Sequence, residues 1–292
     1  MLTIFTVPKP FDGHIGVIQR NAIQSWRCLR PAPQILLCGD EAGTAEAAAA
    51  LGADRIAAVD RNEYGTPLLS SVFAAVETRA AHDLLCYVNA DILLLPDFAD
   101  AARRAAAWKR RFLMVGQRWD LDVTEPLAFG ENDWERELRA RVERAGALHP
   151  PSGSDYFVYP RGALGSLPPF AVGRPGWDNW MIYNARGRKM PVVDVTESTL
   201  VIHQNHAYGH VKQGTGVAWE GPEGDQNLDL IGPGERIFTL ADATHRLTRS
   251  GLRRAITPAH LKRRLRTAAV FSPALGRIYR ILRPAARTPP RR

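Results

Sequence analysis

Between Thr244 and Arg292 the chain contains no aspartate or glutamate, while 14 of its 38 lysines and arginines fall there. The remainder therefore holds 24 Lys and Arg against 30 Asp and Glu, a net of −6, and the overall charge of +8 describes neither part. The body is acidic, and the C-terminal stretch is a cationic appendage suited to anionic surfaces, either lipid headgroups or nucleic acid. Cysteine is scarce. Cys28, Cys38 and Cys86 are odd in number and match no metal-ligand spacing, which argues against a disulfide framework or a cysteine zinc site. Cys38 and Cys86 lie in apolar strand-like runs, where a buried reduced thiol is the expectation, and a cytosolic compartment follows. No uninterrupted apolar stretch reaches the roughly 18 residues that span a bilayer. The first residues enter a strand pattern without the basic start and apolar core of a signal peptide. Also missing is a Gly-x-Gly-x-x-Gly turn after the first strand, which argues against a dinucleotide-binding dehydrogenase.

What is present is an ordinary folded composition, 45% hydrophobic and 23% charged over 292 residues. That length allows one large α/β domain or two intimate halves. The first third alternates strand and helix patterns. Strands are predicted over 2–7, 34–38, 55–59 and 83–95, and helices over 15–29, 42–51 and 67–81. Gly52 suits a helix C-terminal cap and Pro67 a first helical turn. A helix over 98–109, strands at 112–115 and 154–159, a charged helix over 133–145 and strand pattern within 192–204 follow. Such alternation predicts a mostly parallel central sheet flanked by helices, with ligands at the strand C-terminal ends. Thr6, Asp40, Asp60 and Asp91 punctuate those ends.

Four segments carry candidate chemistry. The run Asp83–Pro96 is apolar except for Asn89 and Asp91. A carboxylate in such a run is costly unless a cation or several donors satisfy it. A strand end presenting Asp91 to Mg²⁺ or Mn²⁺, with Asn89 on the same side, answers this; a turn or helix cap before Pro96 is the structural alternative. Asp155, in Gly153-Ser154-Asp155-Tyr156, either binds a hydroxylated ligand or caps its loop. Asp178 lies between Trp177 and Trp180 after the turn Gly173-Arg174-Pro175-Gly176. It is either a helix N-cap or part of a sugar site in which the indoles pack on pyranose faces. Finally, His203, His206 and His210 fall within eight residues at a strand end, without the helical His-Glu-x-x-His pattern of a zinc hydrolase.

Together these residues resemble the GT-A class of nucleotide-sugar-dependent glycosyltransferases, in which a short acidic motif after the fourth strand holds a divalent metal on the donor diphosphate. Asn89-Ala90-Asp91 occupies that place, with Asn replacing the first acid. The resemblance implies Asp91, His203 and His206 as ligands of Mn²⁺ or Mg²⁺. It implies Asp178 as the general base of an inverting transfer, with Asp155 the next candidate. It places Thr6, Pro8, Asp40, Asn62, Tyr64, Gly65 and Asn89 at the nucleoside-diphosphate sugar, with Tyr64 stacked on the base. A basic tail placed on an anionic membrane would suit a cell-envelope or lipid-linked glycan as the acceptor. Expected regions are a nucleotide-sugar half at 1–120, an acceptor-binding half at 121–243 and a basic tail at 244–292.

Two rivals remain at this point. A sugar-phosphate nucleotidyltransferase would share the first half, but needs a Gly-rich phosphate loop where Thr6-Val7-Pro8-Lys9-Pro10-Phe11 stands. A non-catalytic module would bind an anionic surface through its tail and leave Asp91 and Asp178 dispensable. Basic and apolar residues interleave from Leu252 to Leu282, which favours an anionic membrane surface over nucleic acid, since Phe271 and Tyr279 are the tail's stacking residues. The expected location is cytoplasmic, peripheral at the inner face of the cytoplasmic membrane.

Overall fold

A computed structural model describes residues 1–130, 133–206, 221–272 and 274. The N-terminal half is built from β1 (Leu2–Thr6), α1 (Gly13–Arg27), β2 (Gln34–Cys38), α2 (Thr44–Leu51), β3 (Asp54–Ile56), α3 (Leu69–Arg79) and β4 (Leu84–Val88). Next come β5 (Ile92–Leu94), α4 (Pro96–Trp108), β6 (Leu113–Val115), β7 (Trp119–Leu121), α5 (Trp134–Ala145), β8 (Ala147–Leu148) and β9 (Tyr156–Pro160). The chain continues through α6 (Trp177–Gly187), β10 (Val192–Asp194), β11 (Val201–Gln204), α7 (Pro222–Ile231), β12 (His245–Thr248), β13 (Gly251–Arg254) and α8 (Pro258–Phe271).

The main sheet has the order β13-β12-β10-β6-β9-β4-β1-β2-β3. β9 runs antiparallel to both β4 and β6, and β13 antiparallel to β12; the other pairings are parallel. The sheet is thus mostly parallel and flanked by helices, as the alternation predicts. Its two faces separate by the two-residue strand period. Ile4 and Cys86 point to one face, under Trp26 of α1 and Phe98 of α4. Phe5, Leu85 and Tyr87 point to the other, under Phe73 of α3 and Trp177 of α6.

A second sheet, β5-β11-β7-β8, carries its own core of Leu93, Leu95, Leu121, Leu138, Val142 and Ile202 beneath α5. α1 ties the two sheets together, because its buried Trp26 donates its indole N–H to the Ile92 carbonyl at 2.8 Å. The chain passes from one sheet to the other at Asn89–Asp91.

Several sequence expectations change here. The apolar run around Asp91 is two strands in different sheets, so Asn89 and Asp91 belong to a turn, closed by the Ile92 N–H on the Asn89 carbonyl at 3.2 Å. Pro67 precedes α3 and bridges to Arg61, since the helix starts only at Leu69. Trp177 and Trp180 are core residues, 6% and 9% exposed. Trp177 packs edge-on against Tyr87 with centroids 5.0 Å apart, and Trp180 against Phe170 at 5.4 Å, so neither indole offers a face to a sugar.

The cationic segment also begins differently. β12 pairs in parallel with β10, Leu247 and Ala255 are fully buried, and the 245–254 hairpin forms one edge of the main sheet. α8 is anchored by Arg263, which donates to the fully buried Asp242 at 2.7 Å, and by Phe271 stacked on Tyr183 at 5.6 Å. The chain up to Phe271 is therefore body, not appendage. The basic residues beyond Ala274 lie outside the described residues.

Candidate metal and ligand cleft

A cleft of about 450 Å³ opens at the C-terminal ends of β1 and β4, where the second sheet meets the first. Its walls come from the loop after β1 (Val7–Pro10), the Asn89–Asp91 turn, the loop bearing Tyr64–Pro67, Asp155, the turn Val172–Arg174, and the end of β11.

Asp91 is fixed before it meets any ligand. Gln204, fully buried, donates both its backbone N–H and its side-chain amide to the Asp91 carbonyl, each at 3.1 Å. The same amide oxygen accepts from Asn21 at 3.1 Å, so α1, β11 and the turn are one hydrogen-bonded unit. That unit sets Asp91 beside two imidazoles. His206 Nε2 lies 3.1 Å and His203 Nε2 3.7 Å from Asp91 Oδ2. Ligand atoms of Asp91, His203 and His206 all fall within 4.8 Å of one another.

Burial works to raise the Asp91 carboxyl. The contact with His203, the hydrogen bond with His206 and the charges of His203 and Lys9 outweigh it and hold the group well below the usual carboxylate range. Its second oxygen, Oδ1, is buried and has no hydrogen-bond partner among the described residues. An orphaned carboxylate oxygen with two imidazoles at ligand spacing fits a divalent cation.

A second layer orients these groups. Asp120, at the middle of β7, lies 3.2 Å from His203 Nδ1 and 2.9 Å from His149 Nδ1. Arg118 donates to Asp120 at 3.0 Å and forms a salt bridge with Asp155. Burial alone would lower His203; its contacts with Asp120 and Asp91 prevail and push it up to about 10. Asp120 stands on the Nδ1 side, close in distance though not aligned as a hydrogen bond, and leaves Nε2 for the Asp91 side, where a metal-ligating histidine presents its nitrogen.

Asn89 faces away from this cluster. Its amide donates to Asp155 Oδ1 at 2.9 Å and its oxygen accepts from the Tyr87 hydroxyl at 3.0 Å. An aspartate at 89 would set two carboxylates against each other there, so the Asn follows from Asp155 on β9's approach.

The remaining candidates divide. Pro8, Tyr64, Gly65, Asn89 and Asp155 line the cleft, with Tyr64 half exposed at its rim. Thr6 does not; its hydroxyl is buried within β1. Asp40 is engaged by Arg61 outside the cleft. Asn62 is a turn former, accepting the N–H groups of Tyr64 and Thr66 at 3.0 and 2.9 Å and donating to Glu223.

Asp178 sits in the first turn of α6, whose N-cap is Gly176 at φ 85°, a left-handed conformation suited to glycine. It does not line the cleft. Ser154, next to Asp155, donates its N–H to Asp178 at 3.2 Å. Burial pushes Asp178 up to about 6, opposed by the N–H groups of Asn179 and Ser154 and assisted by the Asp155 charge. His210, the third histidine of the cluster, lies outside the described residues.

Sequence reasoning passed over Arg118, Asp120 and His149, which complete the cleft's second layer. Polar residues at the end of an apolar strand, as in Gln117-Arg118-Trp119-Asp120, were the available signal. Gly116 before them is tightly enclosed, since a Cβ there would lie 2.3 Å from the Tyr156 hydroxyl.

No family model matches the chain, and no curated protein matches it in sequence. Solved structures do resemble it. Glucosyl-3-phosphoglycerate synthase from Mycobacterium tuberculosis, in complex with Mg²⁺ and uridine diphosphate, matches at 14% identity and TM-score 0.47, covering 81% of this chain and 79% of that one. The same enzyme with Mn²⁺, uridine diphosphate and glucosyl-3-phosphoglycerate matches at 12% identity and TM-score 0.46, covering 81% and 80%. S. aureus TarS 1–349 matches at 9% identity and TM-score 0.46, covering 70% of this chain and 60% of that one.

Proposed function

We propose that this chain is a GT-A class glycosyltransferase that moves a sugar from a nucleoside-diphosphate sugar to an acceptor hydroxyl with the aid of Mn²⁺ or Mg²⁺. One observation carries the reading: Asp91, with a buried unpartnered oxygen, meets His203 and His206 at ligand spacing in a cleft directly after the fourth strand. A bound divalent cation would supply positive charge to the diphosphate as it leaves. Asp91, His203 and His206 would hold it, His203 releasing its proton as the cation binds, and Asp120 would keep the His203 ring aimed. The cleft wall at Pro8, Tyr64 and Gly65 would receive the nucleoside, with Tyr64 free at the rim to stack on the base.

For the acceptor proton the base in this reading is Asp178, which stands behind Asp155 and outside the cleft lining, so that it would draw the proton by way of the Asp155 carboxylate. Asp155 is clamped by Arg118 and Asn89, whereas Asp178 is raised toward neutrality, where a general base works best. Transfer with inversion follows from a base of this kind, and a cell-envelope or lipid-linked glycan is the acceptor in this reading.

The reading places the enzyme in the cytoplasm, at an anionic membrane face. Val270 packs on the main core and Phe271 on Tyr183, which leaves Ile256, Leu261 and Leu265 exposed at 63%, 48% and 77%. Lys262 and Arg266 are exposed beside the two leucines on α8. Apolar residues ringed by cations suit an anionic lipid surface.

The test is hydrolysis and transfer by the purified protein across a panel of nucleoside-diphosphate sugars, with and without EDTA. Turnover of one donor that EDTA abolishes and Mn²⁺ restores is the expected result. Absence of turnover with every donor, or turnover indifferent to EDTA, would overturn the metal-assisted reading.

A further inference from the structure

The cations around the cleft are not equivalent. Arg118 is committed to Asp155 and Asp120, and Arg174 to Glu223. Lys9 is different: among the described residues none forms a hydrogen bond or ion pair with its ammonium, although the side chain is largely buried on the cleft wall. A desolvated ammonium without a partner is costly, and the cost is recovered only when an anion arrives.

The backbone of Lys9 is held with unusual care. Its N–H donates to Gln19 Oε1 at 2.7 Å, and its carbonyl accepts from Gln19 Nε2 at 2.9 Å. Gln19, on α1, is only 2% exposed. A buried glutamine that satisfies both backbone groups of one loop residue fixes where that side chain begins, between two prolines that restrict the loop further.

We propose that Lys9 is a phosphate-recognition residue, its ammonium receiving an oxygen of a diphosphate held against Asp91, His203 and His206. This rests on the cation site of the proposed function. The electrostatics are complementary. Lys9 and Asp91 line the same cleft, and the Asp91 charge acts on Lys9 there. The Lys9 charge offsets that of Asp91, so less of a divalent cation's charge there would be taken up by the carboxylate and more would remain for a diphosphate. Asn89 keeps that balance: an acid at 89 would subtract one charge, and the amide instead satisfies Asp155. A compact ammonium suits a phosphate oxygen as a point charge, without the planar match that an arginine would impose.

The experiment is calorimetric titration of wild-type protein, Lys9→Met and Lys9→Arg with Mg²⁺ alone, with Mg²⁺–pyrophosphate at saturating Mg²⁺, and with orthophosphate in EDTA. Circular dichroism reports folding of each variant. Lys9→Met should bind Mg²⁺ as wild type does, yet bind Mg²⁺–pyrophosphate about ten- to a hundredfold more weakly, the effect of a lost charge-assisted hydrogen bond. Lys9→Arg should recover most of the affinity. Equal Mg²⁺–pyrophosphate affinity in wild type and folded Lys9→Met would overturn the proposal while leaving the cation site standing. Lys9-dependent binding confined to orthophosphate would overturn the diphosphate assignment. Lys9-dependent pyrophosphate binding in a protein that fails to bind Mg²⁺ would support the phosphate role of Lys9 and overturn the cation site instead.

Discussion

Asp91 and Asp178 are two carboxylates at opposite fates. Asp91 follows a strand, has two histidines against it, and is held well below the ordinary range. Asp178 opens a helix, is met by backbone N–H groups and the Asp155 charge, and is pushed up to about 6. Burial acts on both in the same direction, so the neighbours decide. Contacts with His203 and His206 and the Lys9 charge keep one an anion fit to ligate a metal, while burial and the Asp155 charge make the other a group able to take a proton near neutral pH. The contrast is what the proposed roles rest on, since residue identity alone does not separate the two carboxylates.

The contrast can be broken most severely at Asp91. Asp91→Asn keeps the shape of the turn and the Gln204 bonds to its backbone, but removes the anion. Transfer should fall by about 10⁴-fold or to background, with the far-ultraviolet circular dichroism unchanged. Activity retained at saturating Mn²⁺ would refute the assignment.

Asp178→Asn should lower the transfer rate by roughly 10²–10⁴-fold while donor binding, measured by calorimetry, survives. In the wild type the rate should rise with pH through about 6 and level above it, because the base must be ionised. Stability should move the other way. Between about pH 4 and 6 the native carboxyl holds a proton that the unfolded chain releases, so stability falls as pH rises across that window. Asp178→Asn should lack that decline in a thermal-unfolding series and lose activity all the same. Loss of donor binding in parallel with turnover would move the base elsewhere.

A smaller effect is expected one layer out. Asp120→Asn should weaken Mn²⁺ binding about ten- to a hundredfold by releasing the His203 ring, with Asp91 intact. Unchanged Mn²⁺ affinity in a folded Asp120→Asn variant would show that His203 needs no such support.

The smallest change lies far from both carboxylates. Leu261→Ser with Leu265→Ser should reduce co-sedimentation with anionic vesicles several-fold at low salt and leave turnover on a soluble acceptor unchanged. Equal recovery of wild type and double variant with the vesicles would refute the lipid-facing role of α8.

The strand–helix alternation was legible because each apolar run is short and its period clear; Ile4 and Phe5 on opposite faces of β1 are the pattern made physical. Asp91 and the histidines were legible for the same reason, as polar residues where an apolar strand should end. The indoles misled, since Trp177 and Trp180 next to a carboxylate read as a sugar platform while helical geometry turns both inward. The second layer was not legible. Asp120, Arg118 and His149 reach His203 and Asp155 only because β7 lies beside β11 and β8, a pairing between segments far apart in the chain. The cationic stretch hid a sheet edge because arginines on exposed positions mask the buried Leu247 and Ala255 that fasten it.

The most direct test is calorimetric titration of Mn²⁺ into wild-type, Asp91→Asn and Asp178→Asn protein after treatment with EDTA. One equivalent bound by wild type and by Asp178→Asn, with binding lost in Asp91→Asn, is the result expected of one ligand and one base. Equal binding by all three, or binding lost only in Asp178→Asn, would contradict it.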